Sequence, residues 1–175
     1  MSFGYFDQLD EKSLDAIRNH KYIKHGESFL EPTLYHWWTY FLKFVPLTIS
    51  PNMLTLIGSC ILFSSTLLFL YFSRQMTIQV PWWVNIYGAF AMFAYQTFDA
   101  IDGMQARRLN AGSPLGEVFD HGCDAFAVLF SMINLGCATR MVGNDYFMYA
   151  IWCSFLELYV IHWTNYVTGS FHFSR

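Results

Sequence analysis

Four aspartates fall in one polar window of an otherwise apolar chain. Asp99 and Asp102 lie in the string Asp-Ala-Ile-Asp-Gly-Met-Gln-Ala-Arg-Arg, and Asp120 and Asp124 in Gly-Glu-Val-Phe-Asp-His-Gly-Cys-Asp. One pair is spaced by three residues and the other by four, so on helices each pair shares a face. Two such helices facing each other bring four carboxylates together. In a low-dielectric setting their repulsion leaves them either partly protonated or organised around cations. Hard divalent cations, Mg²⁺ or Mn²⁺, suit oxygen ligands of this kind. Two such ions about 4 Å apart would clamp an in-line displacement at phosphorus.

The residues between the aspartates fit a phosphate-bearing ligand better than a bare ion. Gly103, Ala106, Gly116 and Gly122 keep their helix faces thin, so a nucleotide could approach the backbone closely. Any one of them alone is equally consistent with close helix packing. Arg107 and Arg108 offer planar donor forks suited to a diphosphate. Such a pair beside a membrane is also a topology signal, and Arg107, the nearer to the carboxylates, is the candidate ligand. Asn110 to Pro114, with Gly112 and Ser113, reads as the turn joining the two helices.

These residues must be positioned by membrane helices. The chain of 175 residues is 54% hydrophobic, 20% aromatic and only 13% charged, outside the range of an ordinary soluble domain. Four segments are expected to span: about 51–72, uncharged from Pro51 onward; 82–103, opening on two Trp after Pro81; 115–138, polar at first and apolar after Asp124; and 146–168, which carries Glu157 and His162. Lys12, Arg18, Lys21, Lys24, Lys43, Arg107, Arg108 and Arg175 then fall on one side, against Arg74 and Arg140 on the other. The positive-inside rule puts the richer side, with both termini and the aspartate window, in the cytosol.

Ahead of these spans, the aromatic stretch Glu31 to Val45 is interrupted by Glu31, His36 and Lys43 and is expected to lie in the headgroup region. Residues 13–22 suggest a short amphipathic helix. The chain thus divides into a cytosolic N-terminal segment, 1–48, with amphipathic and interfacial helices, and a transmembrane catalytic region, 49–175. The fold class expected is all-α integral membrane, an interfacial N-terminal helix plus about four transmembrane helices. The first thirty residues contain no apolar h-region, so no cleavable signal peptide is expected. Cys60, Cys123, Cys137 and Cys153 share no CxxC spacing and read as buried small residues, with neither a disulfide framework nor a zinc site. A net charge of −3 with scattered cations argues against nucleic-acid binding.

The string Asp99-x-x-Asp102-Gly103-x-x-Ala106-Arg107, eight residues, Gly116-x-x-x-Asp120-x-x-x-Asp124 resembles the CDP-alcohol phosphotransferase signature at every fixed position. Its surroundings resemble the eukaryotic choline and ethanolamine phosphotransferase branch: Tyr95 to Phe98, Asn110 to Phe119, His121 to Cys123, Asn19 to Tyr22, Leu30 to Pro32, Pro51-Asn52, and His162-Trp163 to Gly169. The resemblance implies a helical bundle that transfers phosphocholine or phosphoethanolamine from its CDP ester to diacylglycerol, releasing CMP. By position it implies that Asp99, Asp102, Asp120 and Asp124 hold two Mg²⁺ or Mn²⁺ ions, and that Gly103, Ala106, Arg107, Gly116 and Asn52 line the CDP site. It further implies an endoplasmic reticulum or Golgi membrane, with the active site facing the cytosol, and a homodimer.

Two bases for the lipid hydroxyl remain open: Asp124, the family's usual candidate, and His162, because a metal-bound carboxylate is a weak base; His162 also reads as a packed histidine hydrogen-bonded to a neighbouring helix. His121 is placed to orient a metal-bound carboxylate, and Glu157 reads as a protonated hydrogen-bond donor in the core in preference to part of a lipid-side polar patch. Met104 stands where members of the branch often carry Lys. Members of the branch are also about twice this length, which fits a second reading: a catalytically silent short isoform that binds CDP-alcohol or pairs with a full-length partner. A divalent-cation carrier would leave Arg107 and the glycines without a role.

Overall fold

The computed structural model describes residues 11–12, 15, 24–26, 29–141 and 143–172. The expected amphipathic helix of residues 13–22 lies almost wholly outside them. Among the described residues five helices are bounded at both ends: α1 (Glu31–Leu42), α2 (Pro51–Thr77), α3 (Trp82–Leu109), α4 (Pro114–Thr139) and α5 (Asp145–Thr168). Their ends follow local chemistry. Proline occupies the first turn of α1, α2 and α4, where its missing N–H costs nothing. The Ser113 hydroxyl caps α4 by accepting the Gly116 N–H at 3.1 Å, and the Asn144 side chain caps α5 through Tyr146 N–H at 2.9 Å. Asn110 closes α3 in the left-handed conformation that Asn tolerates, and Gly169 closes α5 at φ 71°.

Helix α2 is the central element, packing along both α3 and α4. Three apolar clusters line this seam: Phe69, Val80, Val84 and Cys137 at one end, Leu62, Tyr95 and Ala127 in the middle, and Val45, Leu54 and Ile101 toward the aspartates. Close approach depends on Gly88, where an added Cβ would lie 2.5 Å from the Phe69 ring. Polar pairs cross the same seam, with Asn134 donating to Ser65 at 2.9 Å and Ser64 bonded to the Tyr87 hydroxyl at 2.8 Å. Helix α1 contains no fully buried residue. It is held across α3 by the Trp37 indole, which donates to Thr97 at 3.2 Å. Its linker to α2 is tied down by Gln105, donating to Pro46 and Ile49 carbonyls, and by Arg108, donating to those of Leu42 and Val45.

The long helices cover the four expected segments, and α3 continues beyond residue 103 to Leu109. The extra turns carry Gly103, Ala106 and Arg107 onward from Asp99 and Asp102 on one continuous helix. Among the described residues two helices, over Pro51–Arg74 and Pro114–Thr139, are long and apolar enough to cross a membrane. Helices α3 and α5, at 28 and 24 residues, have the length, but their Tyr, Trp, Asn and charged residues lower their apolarity. Large apolar side chains face outward throughout: Trp152 is 71% and Tyr166 81% exposed, and on α5 only Phe147 is buried.

Three expectations are corrected. Of the cysteines only Cys137 is buried; Cys60 and Cys153 are exposed and Cys123, beside Ser59 of α2, is intermediate. Glu157 is exposed on α5, so it is not the favoured core donor, and its position is compatible with the alternative, a polar patch on the lipid side. The fold also includes a two-residue parallel pairing of β1 (Lys24–His25) with β2 (Phe171–His172), too short to show in any sequence pattern.

Candidate active site

The last turns of α3, the first turns of α4 and the first turn of α2 converge on a cavity of about 570 Å³, within the roughly 300–1,000 Å³ range of small-ligand sites. Helix α2 contributes Asn52 and Thr55, α3 contributes Asp102, Gly103, Ala106 and Arg107, and α4 contributes Gly116, Glu117 and Asp120. Every residue assigned from sequence to the CDP site is therefore in its wall. The wall is thin where expected: a Cβ on Gly116 would meet Ser113 Oγ at 3.2 Å and Asn52 Oδ1 at 3.4 Å. At Gly103 the Arg107 Nη1 would lie 3.7 Å from an added Cβ, so the guanidinium folds back over that glycine. Gly122 has nothing near it and is exposed outside the cavity, because the register of α4 turns it away from α2 and α3.

The adjacent arginines divide their work. Arg107 reaches the cavity, whereas Arg108 is spent on the α1–α2 linker carbonyls at 3.3 and 3.1 Å. A rotation of about 100° per residue is enough to separate them. Met104 is not in the cavity wall.

The four aspartates do meet, as two pairs across α3 and α4. Asp99 is within hydrogen-bonding reach of Asp124, and Asp102 within that of Asp120. Antiparallel helices produce this order, the earlier residue of one facing the later residue of the other. A proton or a cation has to stand between paired carboxylate oxygens. Asp102 and Asp120 border the cavity, while Asp99 and Asp124 form a layer behind them.

Neighbouring side chains orient the carboxylates. The Thr55 hydroxyl, buried on α2, donates to Asp102 Oδ2. The Tyr95 hydroxyl donates to Asp124 Oδ1 at 2.5 Å and makes a longer contact with Asp99 Oδ1 at 3.5 Å. By contrast, Asp120 Oδ1 is buried with no hydrogen-bond partner among the described residues, an arrangement that costs free energy unless a ligand completes it. Asp120, His121 and Asp124 each present a ligand atom, all within 4.8 Å of one another. This oxygen-rich set with an unsatisfied buried carboxylate oxygen fits a hard divalent cation.

The histidine assignments are refined. His121 Nδ1 faces Asp124 Oδ2 and its Nε2 faces Glu117 Oε1, each at 3.7 Å. His162 packs edge-on against the His121 ring, with centroids 4.8 Å apart. Its Nδ1–H donates to the Leu158 carbonyl at 2.7 Å, so in the neutral ring the basic lone pair is on Nε2. His162 is thus beside the acidic cluster but outside the cavity wall.

Sequence reasoning did not assign roles to Thr55, Tyr95 and Glu117. The signal for Thr55 was present: Asn52, Thr55 and Ser59 place polar atoms on one face of an otherwise apolar span. Tyr95, one turn before Asp99, is indistinguishable in sequence from the many aromatics of the chain.

Residues 48–170 match the CDP-alcohol phosphatidyltransferase family. The chain is 39% identical over 172 residues to cholinephosphotransferase 1 of Mus musculus, covering 97% of this chain and 43% of that protein. Against cholinephosphotransferase 1 of Homo sapiens the identity is 38% over 173 residues, 97% and 42% of the two chains. Against choline/ethanolaminephosphotransferase 1 of Arabidopsis thaliana it is 42% over 156 residues, 89% and 40%. The chain spans less than half the length of these curated relatives.

Proposed function

The chain belongs to the CDP-alcohol phosphatidyltransferase family, and from that premise we propose that it transfers phosphocholine or phosphoethanolamine from the CDP ester to diacylglycerol, forming phosphatidylcholine or phosphatidylethanolamine and CMP. The single observation that carries this reading is the meeting of Asn52, Gly103, Ala106, Arg107 and Gly116 with Asp102 and Asp120 in one cavity. The protein is read as an integral membrane protein of the endoplasmic reticulum or Golgi, with α2 to α5 as four spans and α1 at the interface. Residues 1–48 are then a cytosolic segment and 49–175 the catalytic region, with the cavity open to the cytosol and a homodimer as the assembly.

In this reading Asp99, Asp102, Asp120 and Asp124 hold two Mg²⁺ or Mn²⁺ ions. When bound, these ions neutralise the diphosphate and the charge that builds on it in transfer. Arg107 and the positive end of the α4 dipole bind the diphosphate oxygens. Gly103, Ala106 and Gly116 leave room for the nucleotide beside the backbone. The diacylglycerol oxygen attacks the phosphorus carrying the head group, that P–O bond forms, the bond to the bridging oxygen breaks, and CMP leaves. His162 is the better base for the hydroxyl proton. Its Nε2 carries the lone pair, whereas Asp124 already accepts from Tyr95 and belongs to the metal set.

The test uses the chain reconstituted in lipid vesicles with radiolabelled CDP-choline, CDP-ethanolamine, diacylglycerol and Mg²⁺. Labelled phospholipid is expected, lost on chelation and lost in Asp120→Asn. The length of the relatives, more than twice that of this chain, motivates the second reading, a silent isoform that binds CDP-alcohol or pairs with a full-length partner. Metal-dependent CDP binding with no lipid product in the wild-type chain would favour it.

A further inference from the structure

Tyr95 is a buried phenol inside an acidic cluster, 6% exposed, on α3 one turn before Asp99. Its ring is fixed in the middle apolar cluster with Leu62 and Ala127, so the hydroxyl has little freedom to move. That hydroxyl bridges the two acidic helices. It donates to Asp124 Oδ1 on α4 at 2.5 Å and lies 3.5 Å from Asp99 Oδ1 on its own helix. A neutral donor can orient a carboxylate without adding a charge that competes with a cation. Holding Oδ1 leaves Asp124 Oδ2 on the side of His121, where Asp120, His121 and Asp124 converge within 4.8 Å.

We propose that Tyr95 is a positioning residue for the divalent-cation site: its hydroxyl fixes the Asp124 carboxylate in the orientation that binds the ion. The proposal rests on the metal reading given above. Groups that orient metal ligands from behind typically contribute 10- to 100-fold in affinity. Without the phenol, Asp124 turns more freely and the ion has to order it on binding.

Tyr95→Phe keeps the ring and removes only the hydroxyl. Tyr87→Phe is the matched control, because the Tyr87 hydroxyl also links α3 to α2, through Ser64 at 2.8 Å, but far along the helix from the aspartates. Mn²⁺ binding to the substrate-free full chain in vesicles is measured by electron paramagnetic resonance, with thermal unfolding of each variant alongside. Tyr95→Phe is expected to weaken Mn²⁺ binding at least tenfold, and Tyr87→Phe to leave it unchanged. Mn²⁺ affinity unchanged in Tyr95→Phe, or lowered equally in Tyr87→Phe, overturns the proposal. If Tyr95→Phe does not fold, p-aminophenylalanine at position 95, which keeps the ring and a neutral donor in place of the hydroxyl, replaces it, and wild-type Mn²⁺ affinity there supports the role while a tenfold loss refutes it. A wild-type chain that binds no Mn²⁺ overturns the metal reading itself, a result distinct from either outcome.

Discussion

The two adjacent arginines yield a crossed prediction. Arg107→Ala should weaken nucleotide binding with little effect on stability, and Arg108→Ala should do the reverse. Arg107 borders the cavity and folds over Gly103, so its loss removes charge-assisted bonds to the diphosphate. Such bonds are worth about 1.5–3 kcal/mol, and an exposed guanidinium belongs at the lower end because water replaces its ligand. About 1.5–2 kcal/mol corresponds to a 10- to 30-fold rise in KM for the CDP-alcohol. Arg108 makes two bonds to backbone carbonyls, one half-buried at 3.1 Å and one exposed at 3.3 Å. Their net worth is about 1–2 kcal/mol of stability, or roughly 2–8 °C in unfolding temperature for a chain of this size. The assay pairs CDP-alcohol titrations in the lipid-forming reaction with thermal unfolding in micelles. A KM in Arg108→Ala that rises as far as in Arg107→Ala would refute the division of roles, as would a destabilised Arg107→Ala with unchanged KM.

Two further substitutions test the frame around the site. Gly88→Ala forces a Cβ to within 2.5 Å of the buried Phe69 ring. Overpacking of this kind costs about 1–3 kcal/mol, read as a lower unfolding temperature, while an unchanged value would mean that α3 can move off α2 freely. Thr55→Val leaves the buried Asp102 without its α2 donor, a loss of about 1–3 kcal/mol. The expected outcome is reduced lipid formation, restored by Thr55→Ser because serine keeps the hydroxyl. Equal activity in Thr55→Val and the wild-type chain would remove Thr55 from the site.

What could be read without coordinates was set by short-range rules. The spacing of Asp99 with Asp102 and of Asp120 with Asp124, the turn at Asn110 to Pro114, and the four long helical segments all follow from helical period, caps and breakers. These are properties of neighbouring residues, and the helices formed where they were expected. Pairing across helices is a different matter. That Asp99 meets Asp124 and Asp102 meets Asp120 depends on antiparallel packing of α3 and α4 against α2. The roles of Thr55 and Tyr95 depend on the same packing, since each bonds a carboxylate from another helix.

The sequence by itself determined which residues are the candidates for the chemistry, because charged groups at helical spacing are costly to hold in so apolar a chain. It did not separate Arg107 from Arg108, nor Gly116 from Gly122, because neighbours of like type differ only in the direction in which a helix turns them. The tertiary structure made those distinctions. Packing of α2 against α3 and α4 turns Arg107 and Gly116 into the cavity, leaves Gly122 outside it, and commits Arg108 to the linker carbonyls. Direction in space is a property of the assembled helices, and only their contacts could settle it.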